Sequence, residues 1–186
     1  MTAKEEDILT NQAYIKNGTV IDKLIDSVIV SKDVDQNDLI VGDKNAIMIA
    51  TRILGYGADY KVTIGEEEHT IDLGRIENKE FDTSLITDGQ NEFSFKLPYS
   101  KIDLTYKLLT GKDEAQISRE IQGLKKLNKN SSAELSTRMK YMILSVNGDS
   151  EKKTVREFVD NGFLARDARA FRNNLKTTSP DVDLSY

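Results

Sequence analysis

The chain has 186 residues, with 26 lysine and arginine against 31 aspartate and glutamate, a net charge of −5 and 38% hydrophobic residues. That composition supports a packed core and excludes wholesale disorder. The absence of cysteine excludes disulfides, thiolate metal sites and cysteine nucleophiles, and a single histidine, His69, excludes a His-cluster metal site.

No apolar run approaches the roughly 20 residues of a membrane span. The start, Met1 to Asp7, lacks the basic-then-apolar layout of a signal peptide, so a cytoplasmic product is expected. Charge is unevenly spread. Residues 1–93 carry 9 Lys/Arg against 19 Asp/Glu, a net −10, and residues 94–186 carry 17 against 12, a net +5. Opposite-sign halves suit packing on each other or head-to-tail docking with copies or partners, and a homo-oligomer is one outcome. Two separately solvated surfaces account for the same numbers. The mildly basic half lacks interleaved aromatics, which argues against nucleic-acid binding.

Residues 4–17 read as one helix stopped by Gly18. Thr19 then caps a second helix with a stripe of Ile21, Leu24, Ile25, Val28 and Ile29. Ser31 to Asn37 reads as a polar loop. Asp43 reads as the N-cap of a helix running to Leu54, with Gly55 and Gly57 as its stop. Gly55-Tyr56-Gly57 is not a phosphate loop, because it follows a helix where a phosphate loop follows a strand and opens one.

The period then changes to two. Tyr60, Val62 and Ile64 alternate, as do Ile71 and Leu73, with acidic Gly65 to Glu68 as the turn between them. A second hairpin alternates Phe93, Phe95 and Leu97, turns at Pro98 to Lys101, and continues through Ile102, Leu104, Tyr106 and Leu108. The two hairpins are expected to form one small antiparallel sheet. His69, beside three glutamates, reads as belonging to a solvated turn rather than as a metal ligand.

The remainder reads as helical. Thr110 and Gly111 open a helix with a capping-box-like Thr110/Asp113 pair, and Ala115, Ile117, Ile121, Leu124 and Leu127 form its stripe. Asn128 to Ser132 is a polar loop. Leu135, Met139, Met142, Ile143 and Val146 form the next helix stripe, which ends at the turn Asn147-Gly148. Thr154 to Val159 make a short helix stopped at Gly162, and Phe163 to Lys176 the last helix. Ser179-Pro180 breaks that helix, and Asp181 to Tyr186 is an extended tail. The fold class is α+β: N-terminal helices, a small sheet of two hairpins and a C-terminal helical bundle. A single domain is expected over 1–186. Within it, residues 1–58 are helical, 59–109 form the two hairpins, 110–178 are helical again and 179–186 are the tail.

No catalytic constellation stands out, and no enzyme, metal or cofactor is expected. The strongest candidate site is the last helix. Arg166, Arg169 and Arg172 recur at i, i+3 and i+6 on one side, with Asp167 beside them, while Leu164, Ala168, Phe171 and Leu175 suit the core. Guanidinium groups donate in a planar fork that matches carboxylates, which suits docking of an acidic partner. Intramolecular pairing with Asp167, Asp160 or the acidic first half is the competing reading.

Several segments in order resemble the hub-assembly proteins of T-even-like contractile-tailed bacteriophage baseplates. They are Ile8 to Gln12 with Gly18 to Lys23, then Val41 to Met48 through Arg52, then Gly55 to Tyr60. Leu97-Pro98, Leu108 to Glu114, Arg166 to Arg169 and Ser179 to Asp183 continue the set. This chain resembles a cysteine-free variant. Relatives in that family carry a Cys-x-x-Cys pair after the segment matching Asp59 to Thr63 and another beyond that matching Asp181 to Leu184, suggesting a zinc-ribbon-like element. Here Ile64 to Glu68 stands in the first place, so zinc is not carried over.

The resemblance implies a non-enzymatic structural or assembly factor of the baseplate hub. Its partners would be other tail or hub proteins, with the tape-measure protein a further candidate. It would be found in the host bacterial cytoplasm during assembly, and in the virion tail if it is retained. The alternative is a transient tail-assembly chaperone for the tape-measure protein or hub, absent from the mature virion. Neither reading involves nucleic acid or a membrane.

Overall fold

The computed structural model describes residues 1–81, 89–127 and 133–184. The fold gathers into two compact units. One comprises Met1–Lys79 with Pro180–Tyr186, the other Glu80–Ser179. Among the described residues the fold is α+β, with eight α-helices and two small antiparallel sheets. The polar loop expected at 128–132 lies outside the described residues, as does the end of the tail.

The first unit opens with α1 (Ala3–Thr10) and α2 (Gln12–Asn17), where a single helix over 4–17 is expected. The break is Asn11. Its backbone is extended, and its Oδ1 accepts from the Ala13 and Tyr14 amides at 3.0 and 3.2 Å. An N-capping asparagine satisfies two orphan donors, which outweighs continuing one helix through it. At the start of α1, the Thr2 amide and hydroxyl donate to Glu5 Oε2, and Ser27 Oγ donates to Glu5 Oε1, each at 2.7 Å. These bonds tie α1 to α3 (Val20–Val28), whose Leu24 and Ile25 are buried.

Helix α4 spans Val41–Tyr56, starting two residues before the expected cap. Asp43 is therefore not the N-cap. It lies in the first turn, and its Oδ2 accepts from the Ile40 amide at 3.3 Å. Of the two expected stop glycines, only Gly57 ends the helix, at φ +86°. Gly55 lies within it, where a Cβ would meet the flexible Met1 side chain, its Sδ at 2.7 Å.

Strands β1 (Asp59–Ile64) and β2 (Glu67–Asp72) form the first hairpin, with Asp59 opposite Asp72 and Ile64 opposite Glu67. The turn is thus two residues, Gly65-Glu66, with Gly65 at φ +67°. Glu67, Glu68 and His69 belong to β2 rather than to the turn.

The tail returns to this unit. Lys79 N donates to Asp181 O at 2.9 Å and Asp183 N to Glu77 O at 2.8 Å, with Asn78 opposite Val182. Asn45 Nδ2 donates to Asp181 Oδ1 at 3.0 Å. The backbone of Pro180 lies so close to Gly42 that a Cβ there would sit 2.0 Å from its carbonyl oxygen.

The second unit contains a three-stranded sheet in the order β3 (Phe93–Lys96), β4 (Asp103–Tyr106), β5 (Ile143–Val146). The two hairpins therefore do not share a sheet, which corrects the sequence reading. The third strand comes from the segment expected to finish a helix. Helix α6 (Glu134–Met142) stops at Ile143, whose backbone is extended, and Val146 then pairs with Leu104. Branched Ile143 and Val146 fit both periods over so short a run. Pairing with β4 decides the outcome.

Helix α5 (Gly111–Leu127) begins as expected, since the Thr110 amide and hydroxyl both donate to Asp113 Oδ2 at 3.1 Å. Gly111 is its first residue. Asn147 and Gly148, at φ +51° and +83°, make the tight turn after β5. Helix α7 (Lys152–Glu157) runs into a wider helical turn over Phe158–Gly162, and α8 (Ala165–Thr178) closes the unit. Leu97, Leu104, Tyr106, Ile117, Ile143 and Phe171 are at most 3% exposed and form the centre of the core.

Candidate partner-binding face

Helix α8 buries Asp167, Phe171 and Thr178, with Asn174 half-buried on the same side. The spacing i, i+4, i+7, i+11 is one helical stripe. The expected inner stripe of Leu164, Ala168, Phe171 and Leu175 is displaced. Only Phe171 of that set is fully buried, and Leu164 is half-exposed just before the helix. Phe171 packs edge-on to Tyr106, with ring centroids 5.1 Å apart, and lies near Phe95 and Phe163. Asn174 Nδ2 donates to the Tyr106 hydroxyl at 2.8 Å, and that hydroxyl lies 3.1 Å from Thr178 Oγ1.

Asp167, offered by the sequence as a member of the docking surface, is wholly buried and has a structural duty instead. Its two carboxylate oxygens accept from the Tyr99 and Ser100 amides, each at 2.9 Å. Those amides belong to the β3–β4 turn, where Lys101 has φ +63°. Burial raises the Asp167 pKa, but the Tyr99 and Ser100 N–H donors outweigh it and hold the carboxyl below its usual value. Asp167 is thus the pin that fastens α8 to the hairpin turn.

The arginines face the other way. Arg166, Arg169 and Arg172 are exposed. Among the described residues none of them has an ion-pair partner. Asp167 serves the backbone, and Asp160 is held by Lys140 Nζ at 2.6 Å. Arg166 stacks its guanidinium over the Tyr99 ring at 4.9 Å, and Arg172 Nε makes a long contact to Ala168 O at 3.4 Å. Tyr99 is 54% exposed and Leu164 49%. Arginine stacked on an exposed tyrosine combines planar donors with rigid apolar area, and both residue types are enriched at protein-binding hot spots.

The other sequence-singled positions have structural roles. Thr110, Gly111 and Asp113 start a helix, Gly57 ends one, and Asp43 and Gly55 serve α4 as described. His69 Nε2 lies 3.8 Å from Glu67 Oε2 on an exposed strand. Among the described residues no cluster of metal-ligating side chains is present.

Sequence reading missed a groove in the second unit. It has a volume of about 510 Å³ and is bordered by Lys107, Lys140, Lys152 and Arg156, with Ile143, Leu144 and Val155 contributing apolar wall. Lys107 pairs with Asp113 at 2.7 Å, Lys140 with Asp160, and Arg156 with Glu120 through two bonds of 3.1 Å. The Arg156 guanidinium, opposed by burial and aided by the Tyr141 hydroxyl, holds Glu120 below the usual carboxylate range. The four cations come from three separate segments, so no local pattern announces them.

No protein-family model, curated protein or solved structure matches the chain.

Proposed function

We propose that this chain is a non-enzymatic protein of a contractile phage tail, a structural or assembly factor of the baseplate hub that works through protein–protein contacts. The observation that carries the reading is where the hub-like segments sit. Gly42 to Asn45 meets Pro180-Asp181, and Arg166 to Arg169 is fastened by Asp167 to the turn that follows Leu97. In each unit, then, one of these segments adjoins chain at or next to another that is distant in the sequence, which is compatible with reading them as one ordered set. The working surface in this reading is the outer side of α8, where Arg166, Arg169 and Arg172 are exposed, make no ion pair among the described residues, and have Tyr99 and Leu164 to supply apolar area. An acidic partner segment is the complementary chemistry.

The test is Arg166→Glu with Arg169→Glu in the phage that encodes the chain. The expected result is stalled tail assembly by a variant whose purified form keeps the parental circular dichroism and melting temperature. Normal assembly by that variant would overturn the docking role of α8. Copy counting by mass spectrometry of mature virions beside tail intermediates then separates two forms of the proposal. A fixed whole-number count in virions marks a hub component. Presence in intermediates alone marks a chaperone for the hub or tape-measure protein.

A further inference from the structure

The geometry points to head-to-tail self-association, in which the β1–β2 hairpin tip of one copy enters the Lys107/Lys140/Lys152/Arg156 groove of a second copy. The hairpin is amphipathic. Tyr60, Val62 and Ile64 lie on one face with their cross-strand partners Ile71, His69 and Glu67. That face is half-buried at Val62 and Ile71, with the Arg52 guanidinium 5.8 Å from the Tyr60 ring, and opens towards the tip, where Ile64 is 67% exposed. A lone two-stranded hairpin is marginal in water, so an open apolar face on one is a feature that wants a partner. At its tip stand Glu66 in the turn and Glu67 at the head of β2. Glu68, on the opposite face, is held by Lys61 at 2.8 Å.

The groove matches this tip in two respects. Half-buried Leu144, above the buried Ile143 and Val155, gives an apolar patch that suits Ile64, and the cationic border suits the glutamates. Each lysine ammonium has three donors, and the ion pairs to Asp113 and Asp160 occupy one each on Lys107 and Lys140. Lys152 and Glu66 are both exposed, and among the described residues neither has an ion-pair partner. The wider charge balance points the same way. The unit with the hairpin carries 9 Lys/Arg against 17 Asp/Glu, and the unit with the groove 17 against 14. Because tip and groove are different surfaces, the contact is heterologous and builds a ring or a filament rather than a two-fold dimer.

The test is sedimentation velocity of the full chain over a wide concentration range, at low and high salt. The expected result is concentration-dependent association that weakens as salt screens the charges. Glu66→Lys and Lys152→Glu should each weaken it by about tenfold or more. The double variant E66K/K152E should restore it, because every reversed tip then meets a reversed groove. Both side chains are exposed and lack ion-pair partners among the described residues, so all three variants should melt with the parent. A monomer at every concentration would overturn the proposal. So would an oligomer indifferent to both substitutions, or one lost with Lys152→Glu but kept with Glu66→Lys, which would mean the groove takes a different occupant. The assay is independent of phage assembly, so its failure leaves the α8 proposal standing, and the reverse holds.

Discussion

Replacing Tyr106 by phenylalanine isolates what holds α8 to the sheet. The Tyr106 ring is 1% exposed and keeps its contacts with Phe93 and Phe171 in the variant, so only the hydroxyl is lost. That oxygen accepts from Asn174 Nδ2 at 2.8 Å. Thr178 Oγ1 donates its own proton to Asn174 O at 3.0 Å, so in the 3.1 Å contact with Tyr106 it is the tyrosine that donates. The substitution leaves one amide donor and one hydroxyl acceptor unsatisfied. A buried orphan of this kind costs about 1–3 kcal/mol. Asn174 is only half-buried and can recruit water, which places the total at about 1.5–3 kcal/mol. For a unit of this size the melting temperature should fall by roughly 6–15 °C. Calorimetry of Tyr106→Phe, Thr178→Val and the double variant closes a thermodynamic cycle. The two changes should be less than additive by at least about 0.5 kcal/mol. A Tyr106→Phe protein within about 0.5 kcal/mol of the parent would refute the claim that this hydroxyl chain fastens the helix.

Stability should fall in acid. Hydrogen bonds from Thr2 and Ser27 lower the Glu5 pKa to about 2, and Asp167 is lowered in the same direction. Because both folded values lie below the unfolded ones, their contribution is complete above about pH 5 and is lost as the pH drops towards 2. Melting temperature should therefore be level near neutrality and decline below about pH 5. Asp167→Asn should melt lower at neutral pH with a shallower acid slope, and an unchanged slope would remove Asp167 from this account. Gly42→Ala drives a methyl against the Pro180 carbonyl, backbone on backbone, and should cost about 1–3 kcal/mol. Limited proteolysis should then cut near residue 180 sooner than in the parent. Glu114→Gln breaks a bidentate pair with Arg138 at 2.6 and 2.9 Å that is about one-third exposed, and should cost no more than about 1 kcal/mol by urea unfolding.

The α+β class and some element boundaries were legible because they rest on local chemistry. Thr110 and Asp113 are three residues apart and cap the same turn, and Asn147-Gly148 reaches positive φ cheaply. Three features were not legible, each for a physical reason. Asn11 suits a helix interior poorly but does not forbid one, so the break between α1 and α2 depends on its cap bonds. Ile143 to Val146 is too short for periodicity to separate a last helical turn from a strand, and β4 supplies the deciding partner. The inner side of α8 escapes a hydropathy reading because three of its four members, Asp167, Asn174 and Thr178, are polar. A hydropathy stripe cannot anticipate a carboxylate whose burial is compensated by two amides distant in sequence.

Asp167 also shows how a partner-binding face should be sought in a chain like this. Within the segment Arg166 to Arg169, adjacent charges have opposite duties. The carboxylate turns inward to two backbone donors, and the guanidinium groups turn outward. Losing Asp167 would weaken any activity of α8 by loosening its hold on the β3–β4 turn, and a screen of the segment by alanine would score it for a reason unrelated to partners. Reversal of Arg169 removes nothing from the core, because it is exposed, has no ion-pair partner among the described residues and lies off the Asp167–Phe171–Asn174–Thr178 stripe. An effect of Arg169→Glu on assembly at an unchanged melting temperature therefore belongs to the surface. The same effect accompanied by a lower melting temperature belongs to the fold. The two outcomes separate only because inner and outer sides of α8 are distinguished by burial rather than by charge.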